Sequence, residues 1–258
     1  TFDISILKLH DGIFEVIATN GDTHLGGDDI DNLLITIALD DIRGDLGLDL
    51  RRNAEAVQAI RKSMIEAKIA LSSEPSVKVD IELPGRKRYQ REISRQQLEQ
   101  LIQPIIDRTV GPCKQAMNDA NFRPEQIDEV VLVGGSTRIP RVRALVEEMF
   151  QRKPHIDLNP DEVVALGAAV QANILGGGSE ATQDMLLLDV TPLSLGIEVA
   201  GGVTDKIILR NSTIPASATQ FYTTQIDGQA NVAIHVLQGE RELASDCRSL
   251  ARFDLQGI

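Results

Sequence analysis

A glycine pair at positions 134 and 135 stands between an apolar run and three polar residues, a pattern that suits phosphate binding. The apolar run, residues 130–133, is typical of a strand buried on both faces. Glycine lets a ligand approach the backbone, and Ser136 or Thr137 can cap a following helix whose N–H groups and dipole attract an anion. Arg138 adds a fixed charge and a flat face for stacking. An ordinary strand-to-helix junction has the same pattern, and the pattern alone leaves both interpretations open.

Polar residues with related chemistry stand at other turns and helix starts. Phosphoryl transfer needs backbone donors held in place, carboxylates that organise a hydrated magnesium ion, and a hydroxyl or water held in line. The residues that offer these groups are Thr1, Asp3, Gly26, Gly27, Asp28, Asp29, Gly134, Gly135, Ser136 and Asp161. The set suits a nucleotide, but its spacing does not exclude an ordinary α/β domain in which Asp28 and Asp29 only cap a helix.

Other common catalytic and metal signatures are absent from the sequence. It contains no Walker loop, no G-x-G-x-x-G after a strand, no H-E-x-x-H and no nucleophile elbow. The four histidines fall in different predicted elements, and Cys113 and Cys247 lack metal-ligand spacing. We therefore interpret all of these side chains as ordinary core or surface residues.

The composition is that of a globular chain. Its 258 residues and 42% hydrophobic content are enough for one large domain or two ordinary ones. A formal net charge of −12 argues against nucleic acid and anionic membranes as partners, because both favour a basic face. Two distant cysteines, no signal peptide and no spanning segment predict a cytoplasmic location. The sequence opens inside a strand pattern without an initiator methionine, so we expect a fragment of a longer chain.

Strand and helix patterns alternate through the first two thirds of the sequence and predict the elements that carry the polar groups. The predicted elements are a hairpin at 1–20, a helix after Gly27, a helix at 53–72, a hairpin at 77–93, a helix from Ser94 to Ala120 that Pro104 and Pro112 kink or divide, and helices after Pro140 and Pro160. Lys68 lies near the end of the second helix, where the helix dipole also favours an ordinary solvated lysine.

The pattern changes after a Gly- and Ser-rich stretch at 176–180, which is typical of a linker. An apolar run at 185–188 follows, and such a run would be an adhesive patch unless it docks against a surface. From Thr191 onward, short alternating strands at 194–199, 206–209, 220–225 and 231–237 predict an all-β sandwich.

Five motifs together resemble the DnaK (seventy-kilodalton heat-shock) chaperone family, in the family's order and along the whole chain. They are residues 1–5, 21–27, 133–140, 159–162 and 186–196. The final block, residues 238–253, most resembles HscA, the branch devoted to iron–sulphur cluster assembly.

The resemblance implies an architecture of two parts. Residues 1–177 would be the second lobe of an α/β actin-like (ribonuclease H-like) ATPase domain. Residues 178–190 would be an interdomain linker, and residues 191–258 the start of a truncated all-β sandwich that binds peptides. The implied cofactors are ATP or ADP and Mg²⁺.

The resemblance also implies roles for individual residues in the ATPase lobe. Thr1 and Asp3 would be catalytic, with Thr1 near the γ-phosphate and Asp3 binding magnesium through water. The nucleotide-binding residues would be Gly26, Gly27, Asp28, Lys68, Ser72, Gly134, Gly135, Ser136, Arg138 and Asp161. Within this set, Lys68 and Ser72 would close over the adenosine and Asp161 would lie near the ribose.

In the second part, the family's linker corresponds to Leu186, Leu187, Leu188 and Asp189, which would dock when ATP is bound. The peptide cleft would be lined by Ile197, Val199, Tyr222, Val232 and Ile234, which hold an extended apolar segment. Plain sandwich core is the alternative interpretation of these side chains.

The sequence departs from the family pattern in three ways. Ile65 replaces a glutamate that bonds the ribose, which predicts looser nucleotide binding and fast exchange without an exchange factor. Ala200 and Gln225, at the positions that arch over the peptide cleft, are not bulky apolar residues, which leaves peptide specificity open. The first phosphate loop, the catalytic lysine, the end of the sandwich and the lid are not in the sequence, so we expect no ATP hydrolysis by this chain alone.

The resemblance thus predicts an ATP-dependent chaperone that binds and releases apolar client segments, works with a J-domain partner and serves an iron–sulphur scaffold protein. General DnaK-like protein folding is an alternative within the same class. A small-molecule kinase on the same scaffold would need neither the linker nor the sandwich. A non-enzymatic peptide-binding module with a degenerate nucleotide lobe is the third possibility.

Overall fold

Two compact units make up the chain in the computed structural model, which describes residues 1–178 and 185–257. One unit combines Thr1–Asp3 with Gly21–Ser179, and the other combines Ile4–Asn20 with Glu180–Ile258. No helix in the described ranges is long and apolar enough to cross a membrane. The cytoplasmic location stays a prediction.

Four helices and a hairpin form the core of the first unit. Their bounds are α1 Gly27–Leu46, α2 Ala54–Ala70, β3 Ser76–Leu83, β4 Lys87–Ser94, α3 Arg95–Asp107 and α4 Val110–Ala120. Ile42, Ile60 and Ile102 are fully buried among them. The hairpin predicted at 77–93 and the helices predicted after Gly27 and at 53–72 are therefore confirmed.

The predicted division of the long helix is also confirmed, but it falls between the two prolines. Pro104 lies inside α3, whereas the break is at Arg108 and Thr109. Pro112 has no N–H to donate to the carbonyl of Arg108, so the break falls one turn before it. At the start of α3, Ser94 and Gln97 form a capping box: Gln97 N donates to Ser94 Oγ (3.2 Å), and Ser94 N donates to Gln97 Oε1 (3.0 Å).

The segment 130–133 contradicts the prediction of a strand buried on both faces. Its backbone pairs only with the segment around His155, through Leu132 N to His155 O (3.1 Å) and His155 N to Val130 O (2.7 Å). Val131 and Val133 are 55% and 47% exposed. Among the described residues no second neighbour pairs with this segment, and its pairing stays an isolated bridge between Val131 and His155. A 3-10 helix, Gly135–Arg138, and the helices α5 Pro140–Phe150 and α6 Val163–Leu175 follow.

A three-stranded sheet in the order β1-β2-β5 contains the predicted first hairpin. Its strands are β1 Phe2–His10, β2 Ile13–Asp22 and β5 Leu186–Leu188. Asp11 and Gly12 form the turn with positive φ angles of 47° and 80°. Strand β5 runs parallel to β2, with Ile13 opposite Leu186. The predicted linker residues therefore extend a sheet, while the domain boundaries at 177 and 190 stay predictions.

A four-stranded antiparallel sheet in the order β7-β6-β8-β9 follows. Its strands are β6 Leu195–Val199, β7 Val203–Ile208, β8 Asn231–Gln238 and β9 Arg248–Gln256. The predicted strand at 220–225 is wrong, because this segment pairs with no strand among the described residues and Phe221 is 94% exposed. The described part of 191–258 forms this one sheet, so the two-sheet sandwich stays a prediction.

Polar side chains tie the strands of this sheet together. His235, on β8, shares hydrogen bonds with Glu198 Oε2 on β6 (2.6 Å) and with Ser249 Oγ on β9 (2.8 Å). Leu237, two residues further along β8, is fully buried on the same face. His235 is thus satisfied by neighbouring strands, which supports its interpretation as a structural histidine.

In the first unit, Tyr89 on β4 ties the hairpin to α1 by donating a hydrogen bond to Asp41 Oδ2 (2.8 Å). Arg91 also pairs with Asp41. Burial and the neighbouring carboxylate raise the pKa of Tyr89 to about 12. Cys113 lies buried in α4, where burial raises the pKa of its thiol to about 11, consistent with a structural role.

Candidate functional site

The first three residues lie against two glycine positions of the first unit. Thr1 Oγ1 donates to Asp3 Oδ2 (2.9 Å). A Cβ on Gly21 would overlap the carbonyl oxygen of Phe2, and a Cβ on Gly26 would lie 3.1 Å from Thr1 N. Only glycine therefore lets the turn before α1 approach the backbone that carries the two predicted catalytic residues.

Gly27 marks the meeting point of three separate elements. A Cβ on Gly27 would lie 3.0 Å from Ser136 Oγ and 3.5 Å from Lys68 Nζ. The start of α1, the end of α2 and the turn after Gly134 thus converge at Gly27. Their close spacing leaves little room for a side chain at this position. A hydroxyl, an ammonium and the first N–H groups of a helix face the same small volume, and this combination favours an anion.

Asp31, which was not predicted from the sequence, holds the Lys68 ammonium in this cluster. Lys68 Nζ lies 2.7 Å from Asp31 Oδ1, and the side chains are only 16% and 9% exposed. The contact is an ion pair without hydrogen-bond geometry, which leaves Asp31 Oδ1 able to accept a bond. An aspartate on the apolar face of α1, next to Ile30 and before Leu34, was the available signal in the sequence.

The turn at Gly134 requires glycine for a different reason, since its φ is 92° and its ψ 150°. Arg138 Nη2 donates to Asp161 Oδ2 (2.7 Å) and to Asn159 Oδ1 (3.2 Å). A Cβ on Gly135 would lie 3.6 Å from Asp161 Oδ1. Gly135, Arg138 and Asp161 are therefore brought together, and Asn159 joins them as a residue that the site prediction omitted.

The predicted cap of the following helix is wrong. Neither Ser136 nor Thr137 caps α5, because the 3-10 helix intervenes and α5 begins with Pro140 after Ile139. Thr137 Oγ1 instead donates to Gly134 O (2.6 Å) and closes the turn on itself. Ser136 is thereby left with its hydroxyl directed at Gly27.

Two predicted residues stand outside these contacts. Asp28 is exposed next to Gly27, and it is Asp29 that performs the cap, accepting a hydrogen bond from Gly26 N at Oδ2 (2.8 Å). Ser72 lies in the turn after α2, where its N–H donates to Ile69 O (3.1 Å). No contact within the described ranges joins Ser72 to the cluster at Gly27.

Arg108 braces the turn that precedes α1. It lies 2.9 Å from Asp22 Oδ2 and 3.6 Å from Asp29 Oδ1. The N–H of His24, which donates to Asp22 Oδ1 (2.8 Å), and this guanidinium hold the pKa of Asp22 below its usual value. The Asp22 carboxylate is therefore charged at neutral pH, and Arg108 links it to Asp29 across the turn.

The oxygen donors at Thr1 and Asp3 fit a hydrated magnesium ion. Among the described residues no group of three or more His, Cys, Asp or Glu side chains could hold a metal directly. Magnesium keeps several waters and needs only one or two carboxylates when a phosphate supplies further oxygens. A single carboxylate beside a hydroxyl matches water-mediated binding better than direct coordination.

In the second unit, four of the five predicted peptide-binding residues share one face of the sheet. The register places Ile197 on β6 opposite Val236 on β8. Directly opposite residues and alternate residues point to the same side of a sheet. Val199, Val232 and Ile234 therefore lie on the face of Ile197, and all four are half-buried.

Tyr222, the fifth residue, reaches this face from outside the strands. Its hydroxyl donates to Asp205 Oδ2 (2.7 Å), and Asp205 lies directly opposite Ile197. Partial burial and the bond to Asp205 raise the pKa of Tyr222 to about 12. Ala200 and Gln225 are exposed.

The first unit is mixed α/β with converging glycine turns, and the second unit contains an antiparallel sheet with an apolar face. The whole chain, residues 1–258, matches the family model for the Hsp70 protein. It is 49% identical over 265 residues to the "Chaperone protein dnaK" of Cyanidioschyzon merolae, an alignment that covers 100% of this chain and 43% of that relative. The chain therefore belongs to the Hsp70 family.

Family membership confirms the predicted resemblance to DnaK. The mixed α/β unit is consistent with the predicted actin-like fold. The chain spans less than half of the relative's length. The closer placement in the HscA branch stays a prediction.

Replacing Asp31 by Asn should destabilise the first unit by about 3 kcal/mol, because it leaves the Lys68 ammonium buried without a counter-charge. Urea unfolding followed by circular dichroism measures the change. Asp28→Asn is the matched control, since Asp28 is exposed in the first turn of the same helix, and it should change stability little. Equal effects of the two substitutions would contradict the importance of the buried pair.

Proposed function

We propose that this chain is part of an ATP-dependent molecular chaperone that couples ATP hydrolysis to the binding and release of peptide segments. The observation that carries the proposal is the convergence of Gly27, Ser136 and Lys68 from three elements. Family membership supports it, because a nucleotide-driven chaperone cycle is what the resemblance to DnaK implies.

In this proposal the nucleotide lies along a row of contacts in the first unit, which we call the arc. It runs from Thr1 and Asp3, past Gly27, to Arg138 and Asp161. Thr1 and Asp3 serve its phosphate end, together with the backbone N–H groups at Gly26 and Gly27. Exposed Asp28 lies at the rim of this end. The glycine backbone is the chemically important part, since it offers donors without a side chain to exclude the ligand.

The other end of the arc holds the sugar and the base. Ser136 and Lys68, which meet at Gly27, supply a hydroxyl and a charge where the phosphate end joins this end, while Asp161 accepts hydrogen bonds from ribose hydroxyls. Gly134 and Gly135 allow the close approach, and the guanidinium plane of Arg138, held by Asp161, offers a stacking surface. Ser72 belongs to this end in the proposal through the family resemblance.

Bound magnesium neutralises phosphate charge and orients the oxygens that react. The task of this chain's own residues is positioning: Asp3 holds the ion's water shell, and Thr1 is kept beside Asp3 by their hydrogen bond. We propose that hydrolysis needs the complete protein, in which further phosphate-binding groups complete the site.

Coupling between nucleotide and peptide involves the segment Leu186, Leu187, Leu188 and Asp189 in this proposal. Its support is the parallel pairing of β5 with β2, which gives backbone partners to an apolar run whose Leu186 and Leu187 side chains stay exposed. A strand that adds to a sheet can also leave it, so the segment is suited to a two-state role. Within the second unit, Ile197, Val199, Tyr222, Val232 and Ile234 line the surface that receives an extended apolar client segment.

Gly27→Ala should weaken ADP binding by about tenfold, because the new Cβ displaces Ser136 and costs a hydrogen bond to the ligand. Displacement of a fluorescent ADP from the complete protein measures the affinity. Gly44→Ala is the matched control: it lies in the same helix, has no atom within 4 Å of the new Cβ, and should leave affinity unchanged. Unaltered affinity in Gly27→Ala would count against the site.

Ile65→Glu should slow ADP release by about tenfold, since a carboxylate on α2 restores a charged hydrogen bond to the ribose. Stopped-flow chase of the fluorescent nucleotide gives the rate. Ile69→Glu places the same charge one turn further along α2 at an exposed position and should leave the rate unchanged. If release from the unmodified protein is already as slow as from a glutamate-bearing relative, the inference of fast exchange is wrong.

The finer function proposed here is a role in iron–sulphur cluster assembly, assisted by a J-domain partner, and it rests on the resemblance of residues 238–253 to HscA. General DnaK-like folding is the second candidate and is favoured by the similarity to a chaperone named dnaK.

ATP turnover of the complete protein is the test. Stimulation by scaffold peptide alone supports the first candidate, and stimulation by many apolar peptides supports the second. Turnover indifferent to any peptide would point to a small-molecule kinase, and no turnover to a plain binding module.

A further inference from the structure

The backbone pairing of β6 with β8 stops inside the four-stranded sheet. Ile197 opposite Val236 is the last position at which these two strands pair. Beyond it both strands continue, but β6 pairs only with β7, and β8 only with β9, in the part of the chain that the structure describes. The sheet is therefore divided between its two central strands.

The proposed peptide-binding residues of the strands lie on both sides of this division. Ile197 and Val199 belong to β6, whereas Val232 and Ile234 belong to β8. Apart from Ile197, each of them lies beyond the last backbone pair that joins the two strands. Main-chain hydrogen bonds between β6 and β8 therefore do not set the distance between the two halves of this apolar face.

A side-chain hydrogen bond spans the division from the opposite face of the sheet. Glu198 and His235 would form the next pair of the ladder, and His235 Nδ1 lies 2.6 Å from Glu198 Oε2. His235 is buried. A carboxylate only accepts hydrogen bonds, so Nδ1 carries the proton and Nε2 accepts from Ser249 Oγ (2.8 Å). Ser249, on β9, thus selects the tautomer and the orientation in which the ring donates to Glu198.

We propose that His235 is a positioning residue for the peptide cleft, which holds β6 and β8 at the separation that binds an extended apolar segment. This role rests on the proposed function. Glu198 lies between Ile197 and Val199 on β6, and His235 follows Ile234 on β8. A shift of the bonded pair therefore moves apolar side chains on both sides of the cleft. Loss of the bond lets the two halves separate and shortens the time for which a peptide stays bound.

Arg252 is a second partner of the same carboxylate, but it is poorly suited to fixing the distance. Its Nη2 lies 3.7 Å from Glu198 Oε2, and its side chain is 71% exposed. An exposed ion pair of this kind contributes little. Replacing Arg252 is therefore the matched control, because it removes a charged partner of Glu198 and leaves the buried hydrogen bond in place.

Release of a fluorescent apolar peptide from the complete protein, with ADP present throughout, tests the role of His235. His235→Gln should speed release at least about tenfold, because the glutamine amide takes the place of Nε2 and leaves Glu198 without its buried donor. His235→Asn should stay within about threefold of the unmodified rate, since its amide takes the place of Nδ1 and still donates to Glu198. Arg252→Gln should leave the rate unchanged.

The two histidine variants separate positioning from a purely structural role. Each loses one of the two bonds of the ring, so a structural role predicts that release follows the free energy of unfolding, whichever bond is lost. Urea unfolding of each variant measures that free energy. Glu198→Gln is a milder variant for the case in which His235→Gln does not fold: its amide oxygen accepts from Nδ1 without the charge, and release should quicken about threefold.

Two kinds of result overturn the inference alone. One is normal peptide binding with unaltered release in the folded variant. The other is equal release from His235→Gln and either His235→Asn or Arg252→Gln. A complete protein that binds no apolar peptide overturns the proposed function, and the role of His235 with it.

Discussion

Space that glycine leaves empty is the constraint on which the candidate site depends. A side chain at Gly26 would crowd Thr1, and a side chain at Gly27 would crowd Ser136 and come into contact with Lys68. The ion pair of Lys68 with Asp31 then fixes the charge in that space. Binding groups from distant parts of the sequence can thus lie close together because two adjacent residues, Gly26 and Gly27, carry no side chain.

Much of the first unit could be predicted from the sequence because local signals agree there. The predicted starts of α2 and α3 coincide with the capping residues Asn53 and Ser94, and the apolar period of α2 matches its buried face. The segment 130–133 shows where local signals fail. Four apolar residues form a strand buried on both faces only if other elements pack against those faces, and the local sequence does not show whether they do. Asp31 was missed for a related reason: its partner Lys68 is distant in sequence, and no local pattern predicts a long-range ion pair.

The second unit was harder to predict because its strands depend on partners. The segment 220–225 was predicted as a strand but pairs with nothing described, whereas β9 pairs along its length although no strand was predicted there. Glu198, His235 and Ser249 come from three strands and meet only once the register is set. Pairing therefore decides both which segments become strands and which polar groups are satisfied.

The two tyrosines have a spectroscopic consequence. Tyr89 and Tyr222 lie in different units, each donates a hydrogen bond to an aspartate, and each has its pKa raised to about 12. A free tyrosine ionises near pH 10. Since the sequence contains no tryptophan, near-ultraviolet absorption comes mainly from these two rings. Tyrosinate absorbance that develops between those pH values therefore reports the loss of a tyrosine–aspartate hydrogen bond, and a chain carrying only one of the rings reports which bond is lost.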